Sequence, residues 1–211
     1  TAGDYSARNY VSFERKMKML LFSGNGLPDF EPAWIVRLGG ETLSPETEIQ
    51  NEGVEWKTIF KAGDESLIEA QFRLSDDVLI FEFRRARPVP ISIELSCGSS
   101  QLFQDIDGVR TYALKGGILQ SICQLVDSRY NSERTCEVAT GAGGCEPLLV
   151  KIARDGSHSL GLVFGSCSQL VTNHQPAVSS IGATFDESDE PLSGALRVTE
   201  VEAETLIQLR G

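Results

Sequence analysis

Nucleophilic catalysis by this chain would depend on one of its two histidines. A Ser-His-Asp or Cys-His site needs an imidazole as general base, and only His158 and His174 supply one. Residues 165–168 read GSCS and lack the second glycine of a GxSxG nucleophile elbow. We therefore interpret both histidines as surface residues in loops and assign no catalytic residue.

Carboxylates are abundant, with 30 Asp and Glu among 211 residues, so their spacing does not single out a pair for glycoside hydrolysis. Residues 105–108 resemble the opening of a calcium loop but lack the continuation of an EF-hand. The acidic residues in 186–190 are more typical of a solvated connection than of a calcium site. Residues 141–144 lack the GK[ST] ending of a phosphate-binding loop. We therefore predict no metal and no cofactor.

The five cysteines show no CxxC spacing, which argues against a zinc site. Cys136 and Cys145 flank a glycine-rich segment that could turn back and let them form a disulfide bond. The alternative is that all five are buried or half-buried thiols.

Aromatic residues are the best candidates for a ligand site, because the C–H face of a sugar ring packs on a flat apolar ring. Trp56 lies between Glu55 and Lys57 in an alternating segment, whereas Trp34 lies in an apolar run where core packing is the alternative. We predict that Trp56, Trp34 and Tyr112 bind the ligand.

The chain has a net charge of −11 and a pI near 4.7. Its negative charge repels phosphate backbones and anionic headgroups, so we predict that the chain does not bind nucleic acid. No apolar run reaches the roughly 18 residues of a membrane span. The chain begins at Thr1 and has no N-glycosylation sequon, which leaves its localisation open, export included.

The clearest structural signal is residues 76–97. An apolar run at 78–84 is followed by strict apolar and polar alternation at 89–96, and a period of two is that of a β-strand. Residues 67–74 alternate in the same way. We predict that 67–74, 78–84 and 89–96 form an antiparallel meander with short turns.

About a dozen such segments follow one another along the chain, with turn residues between them. The prediction is an all-β protein: a large two-sheet antiparallel β-sandwich forming a single domain over residues 1–211. Residues 1–15 are expected to be a short helix or an extended arm. Residues 41–53 are interpreted as a polar loop with at most one brief strand, and 127–144 as the longest weakly structured region.

Three segments carry a resemblance to a known family. WIVRLGGETLSPE at 34–46, EAQFRLSDDVLIFEFRRARPVPISIEL at 69–95 and GLVFGS at 161–166 resemble the N-terminal β super-sandwich (galactose-mutarotase-like) domains of sugar-processing enzymes. Those domains precede an (α/α) barrel in many glycoside hydrolases and phosphorylases, and they usually lack catalytic residues of their own. The resemblance implies a β-sandwich with a carbohydrate-related role.

Our first hypothesis is therefore a non-catalytic carbohydrate-binding or accessory domain that uses exposed aromatics and loop carboxylates. The second is a structural or assembly module of the virion, pilus or surface-layer type, which would contact other copies through residues 1–15 and its edge strands. The third is a glycan-acting enzyme with two carboxylates. The expected partner is a carbohydrate or another protein domain, and an oligomer is compatible with these hypotheses.

Overall fold

The computed structural model describes residues 33–51, 55–75, 78–96, 111–122, 134–152, 158–174 and 179–200, and these residues form fifteen β-strands. The strands are β1 (Ala33–Leu38), β2 (Glu41–Thr42), β3 (Ser44–Asn51), β4 (Glu55–Ala62), β5 (Glu65–Ser75), β6 (Val78–Arg85), β7 (Ile91–Ser96), β8 (Thr111–Lys115), β9 (Ile118–Ser121), β10 (Arg134–Ala139), β11 (Leu148–Ile152), β12 (His158–Phe164), β13 (Gln169–His174), β14 (Ser179–Phe185) and β15 (Leu192–Glu200). The prediction of a short helix or an extended arm at residues 1–15 lies outside the described residues.

The strands form two sheets. One has six strands in the order β10-β13-β14-β7-β1-β2, and the other has nine in the order β3-β4-β5-β6-β15-β12-β11-β8-β9. Neighbouring strands within each sheet are antiparallel. This confirms the prediction of an all-β, two-sheet antiparallel sandwich. That residues 1–211 form one domain stays a prediction.

Buried side chains alternate with more exposed ones along the strands, and the buried ones form the core between the two sheets. In β4, Trp56, Thr58 and Phe60 are buried while their neighbours are half-buried. From the six-stranded sheet, Trp34 reaches across to Phe81 of the nine-stranded sheet, with ring centroids 4.8 Å apart in an edge-to-face arrangement. Aromatic packing across the sandwich therefore joins the two layers. Within the described residues, no helix is long and apolar enough to span a membrane.

The predicted meander is wrong at its last strand. β5 and β6 pair as expected, but β7 pairs with β1 and β14 in the other sheet. The connection at residues 86–90 therefore crosses between the sheets, and its prolines at 88 and 90 have no N–H to continue a ladder. Arg85, at the end of β6, is half-buried and stabilises the crossover, because its Nη1 donates to the carbonyls of Val89 at 2.8 Å and Asp186 at 2.6 Å.

Three strands lie where the sequence indicated mostly loop. β2 and β3 occupy most of residues 41–53, and β10 lies within 127–144. All three are at the edge of a sheet. Edge strands pair on one side only and are kept polar to prevent pairing with other chains, so they lack the apolar pattern that identifies a central strand.

Gly194 of β15 is where the core needs a residue without a side chain. A Cβ there would lie 2.3 Å from Cζ of Phe81 and 2.4 Å from the carbonyl oxygen of Val163. We expect Gly194→Ala to lower the free energy of unfolding by about 1–3 kcal/mol, the usual effect of overpacking. Urea denaturation measures it. Gly161→Ala on the neighbouring β12 is the control, since nothing lies within 4 Å of its Cβ; equal effects of the two substitutions would contradict the packing argument.

Candidate functional site

A row of side chains crosses the outer face of the six-stranded sheet. In the strand register Arg37 pairs with Ser92, Ser92 with Thr184, Thr184 with Gln169, and Gln169 with Ala139. Directly paired residues have their side chains on the same face of a sheet. Five neighbouring strands, from β1 to β10, thus contribute one residue each to this row.

The row forms the floor of a groove with a volume of about 490 Å³. Its walls are the ends of the same strands and the turns beside them: Gly39, Gly40, Pro90, Ile91, Ser168, Phe185 and Asp186. The volume falls within the range of small-molecule sites. We call this feature the polar groove.

Hydrogen bonds orient the polar side chains of the floor. Thr184 Oγ1 donates to Oε1 of Gln169 at 3.4 Å, and Ser168 Oγ donates to the carbonyl oxygen of Thr184 at 2.9 Å. Because its amide oxygen accepts from Thr184, Gln169 offers the two N–H donors of its amide nitrogen to a ligand. The floor is thereby arranged before any ligand binds.

A buried carboxylate lies beside the groove on the same face. Glu94 is 2% exposed, and its Oε1 accepts hydrogen bonds from Arg37 and from Ser92, the latter at 3.2 Å. Its Oε2 accepts from Asn173 and Ser180. Each oxygen therefore has two donors, which compensates the cost of burying the charge. The ion pair also fixes Arg37, whose side chain is 32% exposed, at the end of the groove.

Gly182 makes room for this carboxylate. It pairs with Glu94 in the register, and a Cβ there would lie 2.1 Å from the carbonyl oxygen of Ile93 and 2.9 Å from Cγ of Glu94. The cluster was missed from the sequence. The sequence shows only a lone glutamate in the apolar segment ISIELS. That glutamate can be recognised as part of a cluster only when its partners on other strands are known.

The prediction that Trp34 and Trp56 offer exposed indole faces is wrong. Trp34 is 4% exposed and Trp56 is 1% exposed. Trp56 stacks on Phe72 with ring centroids 5.3 Å apart, so both indoles belong to the core between the sheets. A strand that alternates has one buried face, and bulky aromatics occupy it because they bury the most apolar area.

Tyr112 is on β8 of the nine-stranded sheet, where it is half-buried and pairs with Val150 and Ser121. The structure does not bring it to the polar groove, and its role in binding stays a prediction. The histidines are in strands, not loops as predicted: His158 begins β12 and His174 ends β13.

Cys145 and Cys167 are weak nucleophiles. Cys136, Cys145 and Cys167 are free thiols. Burial raises the pKa of Cys167, although its contact with Thr140 acts in the opposite direction, and burial also raises the pKa of Cys145. Both thiols are therefore protonated at neutral pH. The part of the chain that the structure describes holds no group of three or more His, Cys, Asp or Glu side chains suited to a metal ion.

No protein-family model matches the chain, and no curated protein is significantly similar to it in sequence. Among solved structures, a protein assigned as an aldose 1-epimerase from Escherichia coli K12 is similar, with a TM-score of 0.46, 8% identity, and coverage of 76% of this chain and 69% of that one. Two alpha-galactosidases, one of them described as GH36, also match, each with a TM-score of 0.44 and 10% identity. The protein from Geobacillus stearothermophilus is matched over 80% of this chain, and the one from Lactobacillus brevis over 84%.

The chain spans 30% of the length of each alpha-galactosidase. These neighbours belong to the class of sugar-processing proteins that the sequence resemblance indicated. With TM-scores below 0.5, these matches carry no argument about what this chain does. What the chain binds must be inferred from its own residues.

Proposed function

We propose that this chain is a non-catalytic carbohydrate-binding domain and that its ligand lies in the polar groove. The observation that carries the proposal is the row of Arg37, Ser92, Thr184 and Gln169 along one floor. Guanidinium, hydroxyl and amide groups together supply both donors and acceptors. Sugar hydroxyls need both, since each donates one hydrogen bond and accepts others.

An apolar contact completes the groove. Pro90 is exposed at its wall, next to the buried Ile91. The ring of Pro90 offers the C–H face of a sugar a surface to pack on, in place of the indoles that are buried in the core. Pockets for small molecules commonly combine such apolar walls with a few polar groups that fix orientation.

The charges around the groove support binding over hydrolysis. Glycosidases place two carboxyl groups about 5–9.5 Å apart, on either side of the bond that is cleaved. Among the described residues that line the groove, Asp186 is the only carboxylate. The adjacent Glu94 is buried, and both of its oxygens are already bonded. It is thus poorly placed to protonate a leaving group or activate water.

Binding to a glycan array, followed by calorimetric titration of the best sugar, tests the proposal. We expect Gln169→Ala to weaken the affinity about three- to tenfold, the effect of losing one typical hydrogen bond. Gln71→Ala is the matched control, because Gln71 is exposed on β5 of the other sheet, where it donates to Glu69 at 3.2 Å.

Two results would count against the proposal: no sugar binding at all, or equal effects of the two glutamine substitutions. The assembly hypothesis makes a different prediction, namely a change of mass in solution when residues 1–15 are deleted. The enzyme hypothesis predicts release of sugar from a bound glycan. The assembly and enzyme hypotheses remain the alternatives that the sequence suggested, and these two measurements distinguish them from carbohydrate binding alone.

A further inference from the structure

We infer that the polar groove binds a linear, neutral oligosaccharide that runs across the strands, in preference to a single sugar ring. This inference rests on the proposed function and specifies its ligand. It follows from the length of the row, from the residues at its two ends and from the balance of charge along it.

The row is longer than one sugar ring requires. Its residues come from five consecutive strands of the sheet, β1, β7, β14, β13 and β10. Neighbouring strands are about 4.8 Å apart, so four intervals span about 19 Å. A single ring is close to one strand spacing in width and would contact two neighbouring strands. A chain of rings can contact one strand after another.

Beyond Arg37 at one end of the row and Gln169 at the other, the groove is lined by residues with little or no side chain. Gly39 and Gly40 form the turn after β1 at one end, and Ala139 ends β10 at the other. All three are exposed. Among the described residues that line the groove, none with a bulky side chain lies beyond Arg37 at one end or Gln169 at the other, so a ligand can continue past the floor in both directions.

Hydrogen-bond donors lie near the two ends of the row and acceptors lie between them, and the hydroxyl groups of a sugar chain can bind to both. Arg37 and the amide nitrogen of Gln169 offer donors near its two ends. Between them, Ser92 and Thr184 give their protons to Glu94 and Gln169, so their hydroxyl oxygens are left as acceptors. Four of the five strands, β1, β7, β14 and β13, thus offer a hydroxyl-bearing ligand a donor or an acceptor, whereas Ala139 of β10 offers neither.

The charge balance favours a neutral chain. The positive charge of Arg37 is paired with the buried carboxylate of Glu94, and Asp186 adds a negative charge at the wall. The net charge of the whole chain is −11. A polymer that carries carboxylates or sulfates would be repelled by this field.

A series of oligosaccharides of increasing length, built from the sugar identified on the array, tests the inference by calorimetry. We expect the tetrasaccharide to bind about tenfold or more tightly than the monosaccharide, because each added ring forms further hydrogen bonds. Ala139→Trp should block one end and reduce this gain. Ala142→Trp is the control, since Ala142 is exposed in the following turn and does not line the groove.

The outcomes are distinct. Equal affinity for the monosaccharide and the tetrasaccharide, with both weakened by Gln169→Ala, would overturn the linear ligand and leave carbohydrate binding standing. Tighter binding of uronate chains than of neutral chains of the same length would overturn the neutral ligand. No binding of any sugar would overturn the proposed function and this inference together. The length series uses the unsubstituted chain and does not depend on how the tryptophan variants fold.

Discussion

Trp34→Ala is expected to lower the free energy of unfolding by about 3–5 kcal/mol, as is usual for removing a large buried aromatic side chain. The indole lies between the sheets, with ring centroids 5.7 Å from Phe72, 4.8 Å from Phe81 and 5.5 Å from Phe83. Its removal takes away the apolar contacts between two layers and leaves a cavity that the strands close only in part. Urea denaturation, read as a shift of the midpoint at constant slope, measures the effect.

The same variant separates a core tryptophan from a sugar-stacking one. At a temperature where Trp34→Ala is still folded, we expect its affinity for the sugar that the unsubstituted protein binds to be unchanged. Trp34→Phe keeps much of the buried volume and should lose less stability. A Trp34→Ala protein of normal stability that no longer bound sugar would restore the role first predicted for this residue.

Glu94→Ala is expected to cost about 3–5 kcal/mol of folding free energy, the range for removing one partner of a buried ion pair. The substitution leaves Arg37, Asn173 and Ser180 without the acceptor that they share. These residues come from β1, β13 and β14, so the carboxylate links three strands to its own. We expect Glu94→Gln to cost less, because it keeps the shape and one acceptor oxygen. Equilibrium unfolding of the two variants gives both values.

A double-mutant cycle with Arg37→Ala shows how much of this cost belongs to the ion pair. If the pair dominates, adding Glu94→Ala to the Arg37→Ala protein should cost much less than it does alone. Additive effects would assign the role of Glu94 to its contacts with Asn173 and Ser180. A Glu94→Ala protein as stable as the parent would contradict the structural role given to this carboxylate.

The sequence by itself determined the class of fold and most of the central strands. A period of two in segments such as EWKTIFKA predicts which residues share a face of the strand. Trp56, Thr58 and Phe60 share one face, and all three are buried. It did not determine the sheet to which a strand belongs. β6 and β7 follow each other in sequence but lie in different sheets. Alternation is a local property, whereas the choice of a pairing partner depends on contacts throughout the fold.

The candidate site was decided by tertiary structure alone. Glu94 meets Arg37, Asn173 and Ser180 across sequence separations of 57, 79 and 86 residues. The polar groove likewise draws its floor from five strands. The tryptophans expected to be exposed are buried. Alternation of apolar and polar residues identifies the two faces of a strand, but it does not show which face is covered. The packing of one sheet on the other covers the tryptophans and leaves the row from Arg37 to Ala139 to line the groove.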